Sequence, residues 1–144
     1  MIVPDVNVLI YAHREESNDH PAYAGWLTDL VGGEEPFAVS EVALHGFVRI
    51  VTNPRVFPEP TPLASALAFV SELFKRPRCV RLRPGPGHWL IFERLCRQAR
   101  VKGKLVADAY HAAVAIEHGC ELVTTDADFA RFPGLRWSHP LAPR

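Results

Sequence analysis

The residues with the most chemistry to offer are acids that stand where apolar runs end. Asp5 follows "IVP", Glu41 follows "PFAVS", and Asp126, with Asp128 two residues on, follows "ELVTT". Asp108 lies in what reads as the first turn of an Ala-rich helix, "VADAYHAAVAIEHG". Carboxylates crowded together repel one another and need protons or a cation to coexist. Oxygen donors without a His or Cys set suit a hard ion, Mg²⁺ or Mn²⁺, rather than zinc. Such ions activate a water and steady the leaving oxygen in phosphodiester cleavage. Each acid also has a simpler use. Asp5 or Asn7 can cap the first helix and Asp126 the last, while Glu41 and Asp108 in first turns suit the helix dipole. The cation reading therefore depends on whether the fold brings the acids together.

The pattern of elements says that it does. "IVP" reads as a strand and "NVLIYAH" as a short helix; "HPAYAGWLTDLVGG" is a helix with Pro21 near its start and Gly32-Gly33 as its stop. "PFAV" is a strand, and "EVALHGFVRIVT" is a helix with Ser40 as N-cap. "PLASALAFVSELFKR" is an apolar-periodic helix, "CVRL" a strand, and "GHWLIFERLCRQAR" an amphipathic helix. The Ala-rich helix stops at Gly119, and "ELVTT" is a strand, "DADFARF" a helical turn and "LRW" a last edge strand. Strands separated by helices require crossover connections. The expected fold is a three-layer α/β/α sandwich with a mainly parallel sheet, in one domain spanning 1–144. In such a sheet the strand-to-helix turns emerge on one edge, where ligand sites gather. Asp5, Glu41 and Asp126 should point into one region there, with the Asp108 helix closing the ring.

Composition narrows the class further. Net charge is zero, but it is unevenly spread. Between Lys75 and Lys104 lie ten of the sixteen Lys and Arg against one acid, Glu93, so that segment carries about +9 and the remainder about −9. Such a segment either keeps exposed helices soluble or forms a track for a polyanion. Cys79, Cys96 and Cys120 are widely spaced with no C-x-x-C, which suits free thiols in a reducing cytosol. No secretory leader or membrane-spanning run is visible, so a cytoplasmic location is expected. "NPRVFPEPTP" and "RPGPG" are connecting loops.

His45, four residues after Glu41, and His111, three after Asp108, share helix faces with the acids, though packed histidines are the commoner case. Arg14, Arg49, Arg100, Lys102 and Lys104 lie near the ends of site-bearing elements. The loop "RVKGKL" runs straight into the Asp108 helix, so Arg100, Lys102 and Lys104 are best placed to grip the phosphates of a polyanion.

Four stretches in order, "VPDVNVLIYA", "SEVALHGFVRIVTNP", "VADAYHAAVAIEHG" and "ELVTTDADFARF", resemble a PIN domain of the VapC toxin type found in bacterial VapBC toxin–antitoxin pairs. The resemblance runs from Ile2 to about Trp137. It implies a compact PIN-like α/β/α nuclease, a homodimer, Mg²⁺- or Mn²⁺-dependent endoribonuclease activity, and inhibition by a cognate VapB-type antitoxin. Relatives of this type commonly cut structured RNA such as tRNA or ribosomal RNA. Carried over by position, the family's acidic quartet falls on Asp5, Glu41, Asp108 and Asp126, with Asp128 as a further acid. Asn7 and Thr125 match the small polar positions that hydrogen-bond those acids. Val6 stands where many relatives have Thr or Ser, which removes one hydroxyl but no carboxylate.

Two other classes compete. A phosphatase with an aspartyl nucleophile, or a response-regulator receiver, would want a second acid after the first strand, where Asn7 stands. A catalytically silent PIN-like module would only bind RNA or protein.

Overall fold

The computed structural model describes residues 1–143. The first half of the chain alternates as β1 (Ile2–Pro4), α1 (Val6–His13), α2 (His20–Gly32), β2 (Phe37–Ser40), α3 (Glu41–Val51) and α4 (Leu63–Phe74). The second half continues as β3 (Cys79–Leu82), α5 (His88–Ala99), α6 (Lys104–Glu117), β4 (Glu121–Val123), a 3-10 turn (Ala127–Arg131) and β5 (Trp137–Ser138). The strands form one sheet in the order β3-β2-β1-β4-β5, and every pairing is parallel. This is the expected α/β sandwich.

Period-two alternation assigns the two faces of the sheet. Phe37 and Val39 of β2 pack with Val8, Leu9, Phe47 and Leu73 from α1, α3 and α4, while Tyr23, Leu27 and Val31 of α2 complete that layer. Ala38 and Leu82 face the opposite way with Val3 and Leu122, against Leu95 of α5 and Ala109, Ala112 and Ala113 of α6. The small residues that dominate the buried side of α6 let it pack closely on its neighbours. Among the described residues, no helix is long and apolar enough to cross a membrane.

Three local differences from the sequence reading bear on the site. Ser40 occupies the cap position of α3, yet its hydroxyl makes no capping bond. β4 stops at Val123, so neither Thr124 nor Thr125 belongs to it. α6 begins at Lys104, so Asp108 stands in its second turn and not the first. The cause lies in the preceding turn. Arg100 ends α5 in the left-handed region (φ 50°, ψ 46°), and the Val101 N–H returns to the Cys96 carbonyl at 3.2 Å. Gly103 then takes φ 60°, ψ −131°, a conformation that L side chains rarely adopt, and turns the chain into α6 early.

A carbon added at Gly103 would meet nothing within 4 Å, so the effect of substitution there is purely one of backbone strain. Gly103→Ala should lower stability by about 1–3 kcal/mol in chemical denaturation. An unchanged midpoint would show that the turn relaxes freely.

Candidate active site

Strand register builds the site. Pro4 of β1 pairs with Val123 of β4, and the Asp5 N–H extends the ladder to the Val123 carbonyl at 2.9 Å. The first residue past each strand is therefore Asp5 on one side and Thr124 on the other. The Thr124 hydroxyl, fully buried, donates to Asp5 Oδ2 at 2.8 Å and accepts the Asp126 N–H at 3.0 Å. Asp5 Oδ1 accepts the Val6 N–H at 2.8 Å and so caps α1. Asp126 Oδ1 accepts the Asp128 N–H at 2.9 Å and caps the 3-10 turn. The capping use and the cleft use of these acids coexist, because a carboxylate has more lone pairs than a cap consumes.

Asp5, Asp108 and Asp126 line one cleft of about 230 Å³, together with Asn7, Gly46, Arg49, Lys104 and His111. Lys104 Nζ lies 3.3 Å from Asp126 Oδ2 and 3.5 Å from Asp108 Oδ2. Asp108 Oδ2 and Asn7 Oδ1 are buried without a hydrogen bond. Burial raises the pKa of Asp5 against the opposing influence of the Thr124 hydroxyl, the His111 ring and the Val6 N–H. Burial likewise raises that of Asp108; Lys104 opposes, while Asp126 and Asp5 reinforce the rise. His111 is pushed down by burial, more than the two acids beside it can restore, and so favours the neutral ring.

Other candidates fall elsewhere. Glu41 bonds Arg83 Nε at 2.6 Å and Arg81 at 3.3 Å, and the Arg83 hydrogen bond above all lowers its pKa. It lines a separate groove with Leu44, His45, Val48, Leu67, Val70 and Phe74 between α3 and α4. Arg81 of the edge strand β3 and Arg83, one residue past its end, hold the Glu41 carboxylate in that groove. Asp128 is exposed and lies 3.5 Å from Arg131. Thr125 lines a different recess with Tyr11 and Tyr23, and the neighbour Thr124 is the hydroxyl that meets Asp5. Ending the strand at Val123 rather than Thr125 would have picked out Thr124 from the sequence. Arg100 and Lys102 occupy the α5–α6 turn, while Lys104 joins the carboxylates. Of the two histidines, His111 reaches the cleft and His45 does not.

Comparison with known proteins agrees with this architecture. The family model of the PIN domain matches residues 2–135. The chain belongs to the PIN domain family. This PIN domain is 44% identical over 141 residues to a VapC ribonuclease of Mycobacterium bovis, covering 98% of the chain and 96% of that protein. It is 39% identical to Ribonuclease VapC25 of Mycobacterium tuberculosis, covering 97% of the chain and 99% of that protein. A solved structure of VapBC2 from Rickettsia felis, bound to a promoter DNA fragment, superposes with a TM-score of 0.71 at 17% identity; the match covers 96% of this chain and 98% of that one.

Among the described residues, no three His, Cys, Asp or Glu side chains stand close enough to form a finished metal site. The donors of the PIN cleft nonetheless suit a hard cation. They are oxygens, and two of them are buried without a hydrogen bond.

Two outcomes follow from this geometry. Thr124→Val leaves two buried polar partners unanswered and should lower stability by about 1–3 kcal/mol. Thr124→Ser should restore most of it, and Thr125→Val should have little effect; equal losses at 124 and 125 would contradict the assignment. The second outcome concerns pH. A folded-state pKa raised above the ordinary value of 3.8 means that the folded chain holds its protons more tightly. Stability without metal should therefore fall as pH rises from that value through the raised pKa values of Asp5 and Asp108. Asp5→Asn should make the fall shallower and melt higher than wild type at neutral pH, as followed by thermal melts across pH.

Proposed function

We propose that this PIN domain is a metal-dependent endoribonuclease, the toxin of a type II toxin–antitoxin pair, which hydrolyses phosphodiester bonds in RNA and is neutralised by a VapB-type antitoxin. The observation that carries the reading is the meeting of Asp5, Asp108 and Asp126 in one cleft. Likeness to VapC ribonucleases along nearly the whole chain supports it.

Asp5, Asp108 and Asp126 would hold the ion, Mg²⁺ or Mn²⁺, and the bound ion would supply an activated water and stabilise developing charge. The Thr124 hydroxyl fixes the rotamer of Asp5 and the position of the Asp126 backbone. His111, its pKa lowered by burial, favours the neutral ring and so adds no positive charge to the cleft. Arg49 on the cleft wall faces the region a phosphate would enter. Arg100 and Lys102 extend that path along the α5–α6 turn and favour structured RNA such as tRNA or ribosomal RNA through its phosphates. Exposed Trp89 and Leu90 on α5 are large apolar side chains that a second copy in a homodimer would cover. The groove between α3 and α4 offers Leu44, Val48, Leu67 and Val70 to an apolar helix face of the antitoxin. The cytoplasm is the compartment in which such a pair would act.

The deciding measurement is cleavage of RNA at saturating Mn²⁺. Asp108→Asn should lose at least ~10²-fold in rate while melting as a folded protein. Glu41→Gln should lose much less, because its carboxylate is engaged with Arg81 and Arg83 outside the cleft. A purified Asp108→Asn variant with the wild-type rate would sink the reading.

A further inference from the structure

Lys104 opens α6 one turn before Asp108, and its ammonium sits between Asp126 Oδ2 at 3.3 Å and Asp108 Oδ2 at 3.5 Å. Those oxygens belong to the carboxylates that would bind a divalent ion, and apart from this long contact with the ammonium the buried Asp108 Oδ2 has no partner. The lysine side chain is 72% exposed, so it can swing into solvent without disturbing packing. A lysine ammonium is a compact charge on a flexible stem, suited to a place it must vacate.

We propose that Lys104 is the resident counter-ion of the carboxylate cleft: its ammonium holds the place of the divalent cation and has to move aside for it. The proposal rests on the cation-binding reading of the cleft given above. Two positive centres competing for the same pair of carboxylate oxygens repel at close range, more strongly when one is divalent. Ammonium and metal are therefore alternatives at this position. In the metal-free protein Lys104 offsets the mutual repulsion of Asp108 and Asp126, and in the same act it raises the metal concentration at which the site fills. On binding, the displaced ammonium stays tethered at the rim of the cleft.

The test is calorimetric titration of Mn²⁺ into wild type, Lys104→Met, Lys104→Arg, Lys102→Met, Asp126→Asn and Asp5→Asn, with thermal melts of each protein without and with Mn²⁺. Lys104→Met should bind Mn²⁺ about tenfold tighter, the size expected for removing one nearby like charge at a protein surface. Its metal-free form should melt below wild type, so its metal-induced shift should grow. Lys104→Arg should stay close to wild type in both readouts, and Lys102→Met should change neither. Unchanged or weaker Mn²⁺ binding in Lys104→Met, with binding lost in Asp126→Asn, overturns the role of Lys104 and leaves the metal site standing. Equal gains in Lys102→Met and Lys104→Met also overturn it, because the effect would then be one of general charge. Wild-type Mn²⁺ affinity in Asp126→Asn and in Asp5→Asn removes the metal site and this proposal together.

Discussion

The Thr124 hydroxyl sits at the C-terminal edge of the sheet with no access to solvent and two partners, the Asp5 carboxylate and the Asp126 N–H. A buried carboxylate such as Asp5 is costly unless hydrogen bonds answer it. Here the answer comes from the neighbouring strand, and the same hydroxyl then fixes where the following acid leaves that strand. One oxygen atom thereby ties β1, β4 and the 3-10 turn to a single geometry. The β1–β4 register brings the three groups within reach, and α6 adds Asp108 from above. Without that bridge, Asp5 would be a buried charge with one hydrogen bond fewer and the Asp126 N–H would lose its partner.

Charge is sorted around the sheet edge in two separate compartments. Glu41 is satisfied by Arg81 and Arg83, and Arg81 also stacks over Phe74 at 3.8 Å from the ring centroid. Asp108 and Asp126 share Lys104. The lopsided charge of the sequence is thus partly an internal matter, since Lys75 and Arg97 also pair with Glu72 and Glu93. Nearby, Glu117 accepts the N–H groups of Gly85 and Gly87 at 2.7 and 2.8 Å, which anchors the loop that carries the chain from β3 to α5.

Much of the architecture was legible because strands and helices alternate with clear punctuation. The positions of Asp5 and Asp126 followed from that alternation alone, since strand ends in a parallel sheet share an edge. What stayed hidden depended on single-residue boundaries and on side-chain direction. The Ala-rich pattern of α6 begins after Lys104, so the two-residue extension set by Gly103 was invisible; with it went the contact between Lys104 and Asp108. "TT" offered two hydroxyls, and only the stop of β4 at Val123 distinguishes them. Glu41 stands at a strand end as expected, but its arginine partners lie some forty residues away, Arg81 on β3 and Arg83 just past its end, a pairing that no local pattern announces.

The alanines of α6 set a clearance. Ala109, Ala112 and Ala113 are fully buried, and with Val114 and Ala115 these short side chains set how closely the helix packs on its neighbours. Asp108 rides on that same helix, and its height above Asp5 is inherited from residues that have no chemistry of their own. Adding a few carbons beneath the helix would act as a shim, because a close-packed interior does not absorb extra volume without shifting the element above it. Drift at these inner positions would detune the cleft from behind while every polar residue in it stayed the same.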